Sequence, residues 1–223
     1  MIVQIYSVTS VADALSLAAL GVDHIGFVAG VYGEVKSEFP FDQARAIADA
    51  LRGRAKASAL TMSTDPAEIL RMAEAVRPDI VHISTDTDAV GVPALRQLRE
   101  ALSPEIQLMK AIHVDGPESI AAARAFAPAS DILLLDTKFV GLPGVGATGR
   151  THDWKISRQI IEQVGNLASV ILAGGLTPEN VAMAIHATCP WGVDSFTGTN
   201  YPGSGRKDLS LVRQFVERAM LAE

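Results

Sequence analysis

Short apolar runs alternate with longer segments of helical period along the whole chain. The runs are Ile2–Val8, His24–Ala29, Lys56–Thr61, Asp79–Ser84, Ile106–Val114, Ile132–Asp136, Ser169–Ala173 and Val193–Phe196. Between them the apolar period changes from that of a strand to 3.6. Ala44, Ile47, Ala48 and Leu51 share one helix face, and so do Ile69, Met72, Ala73 and Val76. Leu95, Leu98 and Leu102 repeat the pattern, as do Ile156, Ile160 and Val164, and finally Leu209, Val212, Val216 and Ala219. Helix-start signals recur at Thr64-Asp65-Pro66, Gly116-Pro117 and Thr177-Pro178, the last with Thr177 as N-cap.

Eight strand–helix units in 223 residues predict a closed parallel α/β barrel, the (β/α)8 or TIM barrel, as a single domain over residues 1–223. The competing architecture is a doubly wound open sheet. That fold has fewer strands and often a glycine-rich first turn, whereas the first turn here is Ser7-Val8-Thr9-Ser10. The longest irregular stretches, 30–40 and 137–153, follow strands two and six and so fall on the face where barrel sites are built. The glycines of 141–149 (GLPGVGATG) suit a loop that approaches a ligand or moves.

Composition adds exclusions. The chain is 48% hydrophobic and 20% charged, ordinary for a water-soluble domain with its own core. A formal charge of −6 argues against a nucleic-acid surface. No apolar run approaches the ~20 residues of a membrane span, and MIVQIYSVTS lacks the form of a signal peptide. The single cysteine, Cys189, excludes an internal disulfide and makes a reducing cytoplasm the default; its place before strand eight reads as inert core. With no nucleic acid and no membrane as partner, a small molecule remains, which the strand ends described next make a phosphorylated one, for a monomer or homodimer.

Two strand ends carry the strongest chemical signal. Gly174-Gly175 closes the seventh run and Thr197-Gly198 the eighth. Glycine lets backbone N–H groups approach an anion closely, and barrels commonly hold phosphate after strands seven and eight. Asp136 ends strand six and could work as general acid or base. Gln4 and Tyr6 share one face of strand one, and His82 and Ser84 one face of strand four. His113 and His152 are further candidates for proton transfer. Lys110 and Lys138 could form a Schiff base if desolvated. The five histidines show no metal-ligand spacing, so neither a metal nor another cofactor is expected.

The chain resembles the phosphoribosylanthranilate isomerases, (β/α)8 enzymes of tryptophan biosynthesis. The resemblance is carried by VDHIGFV at 22–28, LMKAIHV at 108–114, LLLDT at 133–137 and GATGRTHDW at 146–154. LAGGLTPENV at 172–181, GVDSFTG at 192–198, Pro202-Gly203 and Lys207-Asp208 match closely. It implies a phosphate site at Gly146, Thr148, Gly174, Gly175, Thr197 and Gly198. It also implies an Amadori rearrangement, in which an acid opens the ribose ring and a base takes the C2 proton, with Asp136 as the acid. The first third departs from the family. Where the family carries Lys-Ile-Cys-Gly-Ile-Thr with cysteine as base, this chain has Gln4-Ile5-Tyr6-Ser7-Val8-Thr9, so Tyr6 stands at the base position and His82 is a candidate replacement. The family's carboxylate-binding arginine after strand two falls near Lys36-Ser37 here, and Gln-Leu-His on strand four becomes His82-Ile83-Ser84. Lys36, Ser84 and Lys110 are therefore the expected substrate contacts. The mismatch predicts weak or absent isomerisation of phosphoribosylanthranilate with Asp136 still essential. A paralogous phosphosugar enzyme or a non-catalytic phosphometabolite binder are the alternatives.

Overall fold

A computed structural model describes residues 1–35, 37–137 and 151–222. Eight parallel strands close on themselves: β1 (Ile2–Ile5), β2 (His24–Ala29), β3 (Lys56–Thr61), β4 (Ile80–Ile83), β5 (Gln107–His113), β6 (Ile132–Asp136), β7 (Ser169–Leu172) and β8 (Gly192–Ser195). Each pairs with its neighbours in sequence, and β1 pairs with both β2 and β8, which removes the sheet edge. A two-residue strand, Glu38–Phe39, adds to the end of β2. The surrounding helices are α1 (Val11–Ala19), α2 (Phe41–Leu51), α3 (Pro66–Val76), α4 (Val92–Ala101), α5 (Glu118–Phe126), α6 (Trp154–Val164), α7 (Val181–Thr188) and α8 (Leu209–Leu221). The barrel expected from the alternation is the barrel found.

Each strand is covered on both faces, which is why the runs are continuous rather than alternating. Ile80, Met109, Ala111, Ile132, Leu134, Ile171 and Ala173 fill the interior. Their sequence neighbours, such as Ile83, Leu108, Ile112, Leu133, Leu135 and Leu172, pack outward against the apolar stripes of the helices. The stripes read from the 3.6 period are the buried faces of α2 (Ala44, Ile47, Ala48 and Leu51) and α3 (Ile69, Met72, Ala73 and Val76), but on α8 Leu209 is exposed and Phe215 is buried with Val212 and Ala219.

One device recurs at the amino-terminal end of the barrel. The aspartate before β2, β4 and β6 accepts a backbone N–H from the preceding strand. Asp23 takes Val3 at 2.8 Å, Asp79 takes Ala57 at 2.8 Å and Asp131 takes Leu108 at 2.7 Å. Each bond pins two neighbouring strands at their starts and satisfies a donor that the ladder leaves open.

Two local expectations are corrected. Asp65 caps α3 with Pro66 in its first turn, as read, but α7 begins at Val181 rather than directly after Thr177. Asn180 is the reason. Its side chain accepts from Thr177 N at 2.8 Å and donates to Gly175 O at 3.0 Å, folding residues 178–180 into a turn. Thr177 Oγ1 still accepts from Glu179 N at 3.2 Å, so its capping chemistry is used on that turn. Cys189 is not in the core. It ends α7 in the left-handed region at φ 50° and is exposed, with its sulfur 3.2 Å from Arg158 Nη1.

Candidate active site

The carboxyl ends of the strands carry the candidate groups. Asp136 is the last residue of β6, with Oδ1 accepting Thr137 N at 2.7 Å. Burial raises its carboxyl to about 6, against the pull of that N–H bond. Such a group is still partly protonated near neutral pH and can donate a proton.

Asp194 of β8 lies on the same inward face. Burial, and next the charge of Asp136, raise it to about 7. Its Oδ1 accepts from Gln4 Nε2 at 3.2 Å. Behind it sits Lys207, whose ammonium donates to the carbonyls of Tyr6 and of Phe196, the latter at 2.9 Å, and lies 3.3 Å from Thr199 Oγ1. Burial lowers Lys207 to about 7, opposed by the attraction of Asp194. This lysine fastens the segment after β8 onto the end of β1.

Tyr6 follows β1 with its ring inside the barrel. Its hydroxyl is shared with Ser58 Oγ at 2.6 Å and His82 Nδ1 at 2.9 Å, and its ring meets the imidazole edge-on at 5.4 Å between centroids. Burial pushes the phenol well above its ordinary 10. Burial, with the nearby charge of Lys110, lowers His82 to about 3. Neither group is ionised at neutral pH, and each holds the other in place.

Two of the expected substrate contacts are engaged elsewhere. The Ser84 hydroxyl donates to Thr61 O at 3.1 Å and is buried. Lys110 pairs in register with Ile83 and Leu133, both outward residues. Its ammonium therefore lies in the strand–helix layer, bonded to Thr85 O, with the Phe126 ring 5.8 Å away. The alternation of strand side chains removes Lys110 from the barrel mouth. Burial lowers it to about 8, but no route from the mouth to its Schiff-base chemistry follows from this placement.

The glycine turns after β7 and β8 meet. Gly174 and Gly175 have φ of 84° and 66°, in the left-handed region that favours glycine. A Cβ on Gly174 would overlap Thr137 Oγ1, and one on Gly198 would overlap Leu176 O. Ser195 Oγ donates to Leu176 O at 2.8 Å, which ties the two turns together. Thr197 opens a short 3-10 turn, Thr197–Thr199. Backbone N–H groups of Gly174 and Gly175 have no hydrogen-bond partner among the described residues. Free N–H groups at a close-packed glycine turn are what an anion requires. His152 holds the turn from behind, with Thr137 Oγ1 at 3.1 Å and Ser157 Oγ at 2.6 Å. Burial lowers it to about 4, so it is a neutral structural histidine. His113 ends β5 with Nε2 2.6 Å from Asp86 Oδ1.

Lys36, Lys138, Gly146 and Thr148 lie outside the described residues. Among the described residues, no group of three His, Cys, Asp or Glu side chains could hold a metal ion, and no helix is long and apolar enough to cross a membrane. Sequence reading passed over Asp194 and Gln4 as a pair, and gave Lys207 no role. Asp194 was recoverable, because it is the only acidic residue in the last run. The Lys207–Tyr6 contact was not, because it joins positions about two hundred residues apart in sequence.

Residues 4–218 match the family described as N-(5'-phosphoribosyl)anthranilate (PRA) isomerase. The N-(5'-phosphoribosyl)anthranilate isomerase of Methanocella arvoryzae is 34% identical over 221 residues, covering 99% of each chain. The phosphoribosyl anthranilate isomerase of Thermotoga maritima superposes with a TM-score of 0.83 at 27% identity, again over 99% of each chain. A phosphoribosyl anthranilate isomerase in complex with reduced 1-(o-carboxyphenylamino)-1-deoxyribulose 5-phosphate superposes with a TM-score of 0.78 at 25% identity over 99% of each chain.

Proposed function

Because the chain belongs to the N-(5'-phosphoribosyl)anthranilate isomerase family, we propose that it isomerises phosphoribosylanthranilate by an Amadori rearrangement in tryptophan biosynthesis. The carrying observation is Asp136: a buried carboxyl raised to about 6 at the mouth of β6, beside the joined glycine turns. In this reading the phosphate sits on Gly174, Gly175, Thr197 and Gly198, and Gly146 and Thr148, outside the described residues, belong to the same site. Its charge is met by backbone dipoles, since the chain as a whole is anionic. Lys36 meets the anthranilate carboxylate from the loop after β2. Asp136 then faces the ribose ring oxygen and protonates it as the ring opens.

Tyr6 does not remove the C2 proton. Its phenol is held neutral by burial and is bonded to Ser58 and His82. His82, at about 3, is too weakly basic to replace it. The expectation of weak turnover rests on two losses, the cysteine base and the carboxylate-binding arginine; another base would remove the first ground and leave the second. The protein works in the cytoplasm as a monomer or homodimer in this reading. The test is direct assay of the purified protein by loss of anthranilate-type fluorescence, together with rescue of a tryptophan auxotroph that lacks the isomerase. Turnover and rescue, both abolished by Asp136→Asn, support the reading. Phosphate binding without turnover would instead favour a non-catalytic binder, the alternative that the neutral Tyr6 phenol supports.

A further inference from the structure

The barrel register sets four inward positions side by side on four neighbouring strands. Leu135 pairs with Leu172, and Leu172 with Val193. The next row is therefore Asp136, Ala173 and Asp194, and Asp194 pairs in turn with Gln4. Ala173 lies between them in the row, so the two carboxyl-bearing positions are two strands, roughly 10 Å, apart. Neither carboxylate has an ion-pair partner among the described residues. The nearest ammonium, Lys207, spends its hydrogen bonds on the carbonyls of Tyr6 and Phe196 and on Thr199. In this buried site the charge of Asp136 disfavours ionisation of Asp194.

We propose that Asp194 is the second catalytic carboxyl of this barrel, the base that takes the C2 proton while Asp136 supplies the acid. The assignment rests on the isomerase reading given above. Gln4 holds Asp194 Oδ1 and leaves Oδ2 without a bond to any described residue, so one lone pair is available at the mouth. Tyr6, whose ring fills the adjoining space, donates nothing to either carboxyl group. Burial raises Asp136 to about 6 and, with the charge of Asp136 added, raises Asp194 to about 7, so both exchange protons near neutral pH and the reactive form is the one with the proton on Asp136.

The proton count closes. Asp136 gives its proton to the ring oxygen as the C1–oxygen bond breaks, and the anilino nitrogen lone pair forms the iminium. The C2–H electron pair then moves into the C1–C2 bond and neutralises that nitrogen, and the proton passes to Asp194. Ketonisation of the resulting enolamine adds a proton at C1 and releases one from O2, with no net change. The pair finishes with one proton, on Asp194 instead of Asp136, and proton exchange with solvent at the barrel mouth resets it.

Four proteins test this: wild type, Asp194→Asn, Asp194→Glu and Asp136→Asn. Kinetics with phosphoribosylanthranilate are combined with carbon-13 NMR titration of the aspartate carboxyl carbons. Asp194→Asn is expected to lower kcat by about 10²–10⁴ with KM changed only a few-fold, and Asp194→Glu to recover part of the loss. Asp136→Asn is expected to lower the apparent pKa of the Asp194 carboxyl, since its neighbouring charge is gone. If wild type turns over and Asp194→Asn keeps kcat within about threefold, or loses only in KM, the assignment falls and the isomerase reading stands. An Asp194 titration unmoved by Asp136→Asn also overturns it, and that arm does not depend on Asp194→Asn folding. A wild type without turnover overturns the isomerase reading and this step together.

Discussion

The Tyr6 ring occupies the space that a side chain at position 26 would need: a Cβ built on Gly26 falls among the ring carbons of Tyr6. Both positions face into the barrel, Gly26 from β2 and Tyr6 from the end of β1. The ring cannot swing aside cheaply, because its hydroxyl is fixed by Ser58 at 2.6 Å and His82 at 2.9 Å. The aromatic residue at the strand-one position therefore depends on a glycine one strand away.

Gly26→Ala should destabilise the protein by about 1–3 kcal/mol, the usual cost of overpacking a core. Paired with Tyr6→Ala, the same substitution should cost much less than its single-mutant penalty, because the ring it strikes is gone. Urea unfolding of the two single variants and the double variant measures the coupling. Additive penalties would show that Tyr6 is not what Gly26 accommodates.

Asp136→Asn should separate activity from stability. A carboxyl raised to about 6 in the fold from an ordinary 3.8 opposes folding once it ionises, so stability falls as pH rises through that window. Asparagine does not ionise. The variant should lose about 10²–10⁴ in kcat, and its unfolding midpoint, compared with wild type, should improve as pH rises from about 4 to about 6 and then level off. Parallel kinetics and thermal unfolding at several pH values check both halves.

The glycine turn predicts an anion effect. Gly174→Ala brings a Cβ onto Thr137 Oγ1 and leaves a left-handed backbone position without glycine. Inorganic phosphate should raise the melting temperature of the wild type and should do so far less for Gly174→Ala. Isothermal titration with phosphate is the second measurement, and equal affinity in both proteins would remove phosphate from this turn.

Two buried histidines should weaken the fold on the acid side, against the opposite effect of the raised Asp136 and Asp194 carboxyls. His24 is lowered to about 4 by burial and the charge of Lys56, and His82 to about 3 by burial and the charge of Lys110. Below their ordinary 6.5 the unfolded chain binds protons that these two folded histidines refuse, so their contribution to stability drops as pH falls from 6.5 towards about 3. His82→Gln should flatten that slope without moving its upper end. Urea midpoints at pH 7, 6, 5 and about 4 give the comparison.

Much of this was determined by the sequence alone. The alternation of apolar runs with 3.6-period stripes specifies eight strands and eight helices, because burial on both faces leaves no other way to cover them. The glycine pairs at strand ends and Asp136 at the close of its run are local signals, readable because backbone freedom and strand position are set by neighbours in the chain. Only the tertiary structure decided which inward residues meet. Lys110 and His82 sit in similar apolar runs, yet inter-strand register sends the first outward to Thr85 and Phe126 and the second inward to Tyr6. Closure of β8 onto β1 brings Asp194 to Gln4 and Lys207 to Tyr6, contacts that span about two hundred residues. Local propensity carries no record of such contacts, because the burial that shifts Asp136 and Asp194, and the charge of Asp136 that shifts Asp194 further, arise only once the barrel has closed around them.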